Sequence, residues 1–584
     1  MHNFEVWAPY AKSVALAVNG ELIEMTPGER GHWHICVGNT GPGDHYAFLL
    51  NGDPTLLPDP RSQWQPNGVH GASRIVDHET FRWTDQLWHP PPLDSGILYE
   101  MHVGTFTPEG TFESAIERLD YLHELGITHL EIMPVNEFSG ERGWGYDGVQ
   151  PFAPHHSYGG PDGLKQLVNA CHEKGLAVLL DVVYNHLGPV GNYLERFGPY
   201  FTETYHTPWG AAVNLDGPDS TEVRRFFCDN GLYWLREYHF DGLRLDAVHA
   251  FIDRSALHFL EQFASEVDAF GTALGKHLVV IAESELNQPL LVVSREANGY
   301  GLNAQWSDDF HHALHTVLTG ETDGYYQDFG SLAQIAKALR SVYVYTGEYS
   351  AYRRRHHGRP VIGLPGSRFA GYLQNHDQIG NRARGDRISH LVSTDRAKIG
   401  SALVLLSPFV PMLFQGEEFG ASSPFLYFTD HDDPEVGKAV TEGRKREFAA
   451  FGWNPEDIPN PQGKEAFESS KLRWEELREE PHRSLFQWHC ELIALRRAHP
   501  ELTSGCLSEV EVDFSESEQW LSMRRSNVSV CCNLSRSLKT LKIPPKSEIV
   551  LKSNEGVSLA SSDRIVVPPD SVAVLLSRDH QASS

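Results

Sequence analysis

Eight short apolar runs through the middle of the chain, most of them separated by helical patterns, constrain the fold more than any other feature. They lie at 97–103, 127–133, 177–183, 242–247, 278–282, 303–306, 370–374 and 410–414. Between the first two, the stretch 112–125 places Ile116, Leu119, Leu122 and Leu125 at helical spacing. Eight such strands with intervening helices over roughly 400 residues predict a (β/α)8 TIM barrel with long inserted loops. A doubly wound open sheet is the competitor. Acidic residues at the ends of strands four, five and seven favour closure, because a ring of strand ends can converge on one point.

At 584 residues the chain exceeds one hydrophobic core, so flanking domains are expected. Residues 1–92 read as all-β, with alternating runs at 4–9, 13–18 and 32–37 punctuated by Gly, Pro and Asn. They predict an N-terminal β-sandwich. Pro90, Pro91 and Pro92 mark a stiff boundary. The barrel is expected over 93–502, closed by a helix at 484–497. Residues 503–584 return to short strands, at 520–523, 528–532, 549–551 and 571–576, and predict a C-terminal β-sandwich. The last few residues should be disordered.

The formal net charge of −28 opposes binding to phosphate backbones or anionic lipid. Nucleic-acid and membrane roles are therefore not expected, whereas a neutral substrate is compatible. Such acidity is also an ordinary solubility device. Aromatic residues at 11% suit a sugar site, though large cores would need them equally. Cysteines fall at 36, 171, 228, 490, 506, 531 and 532, an odd number without a C-x-x-C pair. That argues against a disulfide framework or structural zinc and fits a reducing compartment. The chain opens into strand-like sequence with no basic or apolar leader, and no apolar run approaches about 18 residues. A cytoplasmic protein is expected.

The acids at the strand ends carry the chemistry. Asp246 follows Arg244 by two positions, so both point to one side of a strand. A guanidinium beside a carboxylate keeps it ionised and oriented. Glu283 follows four apolar residues, and burial there would raise its pKa toward that of a general acid. Asp377 sits between His376 and Gln378 after the seventh run. Taken singly, these read as an ion pair, a loop glutamate and a turn. Three such acids at three strand ends favour a site for glycosidic bond cleavage, which needs paired carboxylates. Asp181 ends the third strand, with Asn185 and His186 just beyond it: His186 as a donor to a sugar hydroxyl, or both as metal ligands or a loop clasp. Trp144 and Tyr146 lie in a Gly-rich loop, either to stack on a ring or to plug the fold.

These segments, in this order, resemble the four motif regions of the α-amylase superfamily of glycoside hydrolases and transglycosylases. The regions correspond to 181–186, 242–249, 281–284 and 375–377, and the resemblance spans the barrel. The first domain is similar to the immunoglobulin-like, glucan-associated sandwich that precedes branching and debranching barrels. The resemblance implies Asp246 as nucleophile, Glu283 as acid/base and Asp377 as the carboxylate stabilising the distorted sugar. It implies Arg244, His186 and His376 around the non-leaving glucose, with Tyr146 stacked on it and His249 and Gln378 beside it. Segments 304–315, 374–387, 414–431 and 443–448 resemble the branch that releases trehalose from malto-oligosyl trehalose. One departure is Glu285, where that branch is expected to carry Asp. Trehalose selectivity is assigned to Trp209, Trp306, Asp308, Asp309 and the 352–355 loop. No cofactor or metal is expected, since the chemistry needs none and no dense carboxylate loop is present. The alternatives are a glucan branching enzyme, which shares 144–148 and transfers a chain, and a non-catalytic glucan-binding scaffold.

Overall fold

The computed structural model describes residues 1–449, 453 and 458–578. The disorder expected at the chain end concerns residues outside this set. Eight parallel strands close into a barrel in sequence order. They are β1 (Leu98–Met101), β2 (His129–Ile132), β3 (Ala177–Val182), β4 (Gly242–Leu245), β5 (Val279–Ala282), β6 (Ala304–Trp306), β7 (Phe369–Tyr372) and β8 (Val410–Phe414). Closure rules out the open sheet.

The two-residue period of each strand explains the layering. Leu98, Leu179, Ile281, Trp306, Tyr372 and Met412 belong to one buried cluster. Tyr99, Leu130, Leu180, Leu243 and Val280 belong to the cluster shared with the surrounding helices. Following the inner rows toward the strand C-termini leads from Leu98 to Glu100, from Leu179 to Asp181 and from Gly242 to Arg244. Ile281 leads likewise to Glu283, and Trp306 to Asp308. Apolar residues thus make up most of the barrel floor, with His129 the register partner of Leu98 there, while most ionisable residues of these rows lie toward the strand C-termini.

The helix expected over 112–125 is split into Phe112–Ile116 and Leu119–Leu125. Arg118 leaves helical geometry between them and lays its guanidinium over the Trp474 ring, 4.5 Å from the centroid. The closing helix runs over His482–Ala498. Its Arg496 donates to the carbonyls of Leu405 and Ser407 at 2.9 Å and of Phe409 at 2.7 Å. Arg525, on the first C-terminal sheet, reaches the carbonyls of Leu406, Ser407 and Leu502. Buried guanidinium groups thus fasten the barrel's last turn to the sheets behind it.

Those sheets are a five-stranded one, with Trp520–Arg525, Val528–Asn533 and Ser571–Ser577 in its centre, and a three-stranded one. At the other end of the chain, His2–Trp7 pairs with His32–Val37 in one small antiparallel sheet. Val14–Val18 pairs with His45–Leu50 in a second. Trp7 meets Tyr200 and Phe48 meets Phe197 edge-on across the boundary with the barrel.

The connection between this region and β1 is clamped by a buried charge cluster. His172 bonds Asp85 through Nδ1 (2.9 Å) and Asp241 through Nε2 (3.0 Å), and all three side chains are at most 2% exposed. Trp88 stacks on the His172 ring and donates its indole N–H to Asp241. Burial disfavours the charged ring, but the bonds to Asp241 and Asp85 outweigh it and raise the His172 pKa. Burial likewise opposes ionisation of Asp85, and the bonds from His172 and His239 overcome it, holding Asp85 below the usual carboxylate range. A raised histidine stabilises fully below its unfolded value near 6.5 and loses that contribution as pH rises through its folded value. Asp85→Asn should therefore lower thermal stability most near pH 6, by about 3 kcal/mol for a broken buried pair. The deficit should shrink toward pH 9. Melting both proteins across that range tests this; a pH-independent deficit would rule out a charged His172.

Candidate active site

Arg244 organises the rim. Its Nη1 donates to both Asp181 oxygens at 2.9 and 2.8 Å and to Asp246 Oδ1 at 2.9 Å. Its Nη2 stands 3.8 Å from Glu283 Oε2. The guanidinium lies 4.2 Å above the Trp306 ring. Asp181 and Arg244 are register partners on β3 and β4, so cross-strand pairing sets this geometry.

Beyond Asp246 the chain turns sharply. Ala247 adopts a left-handed φ of 43°, strained for a residue with a Cβ, at a cost of about 1–3 kcal/mol. The turn aims the Ala247 N–H at Glu283 Oε2 (2.7 Å). Val248 N–H bonds the Glu283 carbonyl, and Glu283 N–H bonds Leu245. The ends of β4 and β5 are thereby folded onto each other. Glu283 keeps 19% of its side-chain exposure. Burial pushes its pKa well above the usual range, with Asp246, Asp308 and Asp377 adding to the shift and Arg244 opposing it. Burial also brings Asp181 to about 6 despite Arg244.

Asp377 is exposed in the first turn of a short helix, His376–Gly380, just past β7. The Asn375 side chain caps that turn, accepting from Asp377 N–H and Gln378 N–H. Gln378 closes the box by accepting from Asn375 N–H (2.9 Å). Asn381 donates to Asp377 at 2.7 Å. Tyr146 donates to Asp181 at 2.6 Å and lies parallel to the His376 ring, centroids 5.0 Å apart. His376 is anchored beneath by Glu100, which accepts from its N–H (2.9 Å) and from Nδ1. Burial disfavours a charged His376, yet the Glu100 carboxylate holds its pKa above the ordinary value.

The outer residues divide. His186 stacks on Trp209, centroids 4.9 Å apart and planes 7° from parallel. Trp209 sits at the turn between strands Phe201–Thr207 and Gly210–Val213 and remains 46% exposed. His249 is half-buried just past β4, within electrostatic reach of Glu285 and Asp246. Trp306, by contrast, is 1% exposed in the barrel interior, beneath Arg244 and edge-on to the His376 ring. Adjacent Asp308 and Asp309 face different tasks. Asp309 Oδ2 accepts from the N–H groups of Val344 and Tyr345 and from Asn287, each at 2.8 Å, tying down a loop. Asp308 accepts from the Tyr372 hydroxyl. In the 352–355 loop, Arg353 bonds Glu285 at 2.8 Å, two residues past Glu283.

Three participants escape the motif reading. Glu100 supports His376, and its signal was an acid inside an otherwise apolar first run. Tyr372 holds Asp308. Glu131, beside Glu100 in register, is buried with neither carboxyl oxygen partnered. Burial, then the neighbouring Glu100 charge, drives its pKa far up. Among the described residues, one group could gather around a metal: Glu137, His155 and His156, with ligand atoms within 4.8 Å of one another. His155 Nδ1 accepts from Ser157 N–H, which leaves the ring proton on Nε2, the atom facing Glu137. His156 already pairs with Glu137 at 2.7 Å. That arrangement is an ion pair rather than a ligand set.

The family model for the α-amylase catalytic domain matches residues 73–206. The chain is 46% identical over 580 residues to malto-oligosyltrehalose trehalohydrolase of Rhizobium sp. (strain M-11), covering 98% of this chain and 97% of that one. A 1,4-alpha-glucan branching enzyme of Corynebacterium jeikeium is 28% identical over 460 residues, covering 71% and 60%. Among solved structures, a Salmonella typhimurium protein described as an alpha amylase superposes with a TM-score of 0.90 at 37% identity, covering 98% and 97%.

Proposed function

The chain belongs to the α-amylase family and, within it, to the malto-oligosyltrehalose trehalohydrolases, and from that premise we propose how its own residues cleave the α-1,4 bond next to a terminal trehalose. Glu283 protonates the bridging oxygen as Asp246 attacks the anomeric carbon on the opposite face. Trehalose leaves with the proton, and the malto-oligosyl unit remains as an ester of Asp246. Glu283, now a carboxylate, takes a proton from water, whose oxygen displaces Asp246 and restores the original anomer. Asp377 steadies the positive charge that develops on the ring. The substrate is an α-glucan oligosaccharide capped by trehalose.

The observation that carries this reading is the shared guanidinium. Arg244 touches Asp246 at 2.9 Å and approaches Glu283 at 3.8 Å, so one guanidinium serves both acids while compensating them unequally. The better-compensated carboxylate suits a nucleophile, and the less compensated, buried one suits a proton donor. The retaining mechanism requires the two carboxyl groups to stand about 5–5.5 Å apart. Around this pair, His376 and Tyr146 would hold the non-leaving glucose with His186, His249 and Gln378. Trp209, Asp308 and Arg353 would face the trehalose, with Trp306 and Asp309 supporting them from below.

Product analysis decides the matter. Incubation with maltotriosyl trehalose should release free trehalose and one new reducing end per trehalose, first as the α-anomer by proton NMR. Branch points formed from amylose without trehalose release would favour a chain-transferring enzyme instead.

A further inference from the structure

The charge balance at the barrel mouth points to a fourth acid with work to do. Asp246, Asp308 and Asp377 bear on Glu283, and the nearby Arg244 guanidinium is committed to Asp181 and Asp246 at 2.8–2.9 Å. Arg353 is committed to Glu285 at 2.8 Å. Asp308 has no ion pair among the described residues; its bond is from the neutral hydroxyl of Tyr372 on β7. Asp308 opens the helix Asp308–Thr319 just past β6, a strand that pairs with β5 on one side and β7 on the other. Those strands carry Glu283 and Asp377.

We propose that Asp308, anchored by the Tyr372 hydroxyl, is a positioning residue that keeps the proton on the Glu283 carboxyl. This rests on Glu283 being the proton donor, as read above. The groups bearing on Glu283 are Arg244 and Asp246 from β4, Asp308 from beyond β6 and Asp377 from beyond β7. Of the last two, Asp308 weighs more heavily on it. Asp308 in turn faces Tyr372, Asp377, Glu285 and Asp309. Burial first, and then these acids, bring its pKa up to about 7, so it titrates in the same range in which the enzyme must keep Glu283 protonated. Like charges on neighbouring carboxyls oppose each other's ionisation. An ionised Asp308 therefore delays the loss of the Glu283 proton to higher pH.

Asp308→Asn removes that charge. The active form holds its proton on Glu283, so the alkaline limb of kcat/KM for trehalose release should move to lower pH by about half to one unit. Tyr372→Phe deletes the donor to ionised Asp308, keeps that group neutral to higher pH and should move the limb the same way by less. Asp308→Glu, which retains the charge, should leave the limb near its wild-type position and serves if the amide variant folds poorly. An independent readout is the infrared carbonyl band of protonated Glu283, identified as the band lost in Glu283→Gln. In Asp308→Asn it should disappear at lower pH than in wild type. A uniform loss of activity with limb and band unmoved, or a shift to higher pH, overturns the proposal. Full activity in Glu283→Gln would instead overturn the assignment of the proton donor, while the band would still report whether Asp308 governs that proton.

Discussion

Asp246→Asn is expected to abolish trehalose release, lowering kcat by about four orders of magnitude or more, because no ester to the enzyme can form. The fold should survive. The amide oxygen can still accept from Arg244 Nη1, and Asp181 keeps its two bonds to the same nitrogen. The lost charge also relieves Asp181 and Glu283, both of which Asp246 pushes toward protonation. The melting temperature should accordingly stay within about 3 °C of wild type. Trehalose quantitation together with a thermal melt separates the two effects. Activity within tenfold of wild type would remove Asp246 from the nucleophile's place; a collapse of the melt would mean that the residue is structural.

The row-by-row logic that makes Asp246 a candidate was readable from the sequence because strand alternation is strict. Arg244 and Asp246 are two apart, as are Ile281 and Glu283, and the same rule carries Trp306 to Asp308. What alternation does not supply is register between strands. That Arg244 lies opposite Asp181, and Glu100 opposite Glu131, depends on how the barrel is sheared. Nor does the pattern distinguish neighbours after a strand ends. Asp308 and Asp309 look alike in sequence, yet one faces the barrel mouth and the other is consumed by backbone N–H groups of a loop thirty-odd residues away in sequence. Trp306, expected among the trehalose-selective residues, is 1% exposed beneath the rim, because its inner-facing position lies one layer below it. The 352–355 loop is expected at the trehalose end, and Arg353 reaches the rim by bonding Glu285, two residues past Glu283.

Removing the shared cation should have the second large effect, and it separates charge from shape. Arg244 is 2% exposed and is the guanidinium serving Asp181 and Asp246. In Arg244→Met those carboxylates face each other in a buried site without compensation, a change that costs about 3–5 kcal/mol when one side of a buried pair is lost. The pH sign follows from the direction of the shifts. Burial has already brought Asp181 to about 6 with the guanidinium present, and its loss must raise it further. An acid whose folded pKa is raised binds its proton more tightly in the folded state, so folding weakens as pH climbs past the unfolded value near 3.9. The stability deficit of Arg244→Met should therefore be small at pH 4.5 and grow steadily to pH 8, with kcat/KM down by at least about a thousandfold throughout. A deficit that stays constant over that range would mean the Asp181 and Asp246 charges are not what Arg244 compensates. Arg244→Lys sharpens the point. An ammonium restores the charge, so much of the pH-dependent deficit should vanish. It lacks the planar fork that spans Asp181, Asp246 and Glu283 and that rests on Trp306. Activity should remain at least about a hundredfold down, because Asp246 and Glu283 are no longer held by one rigid group.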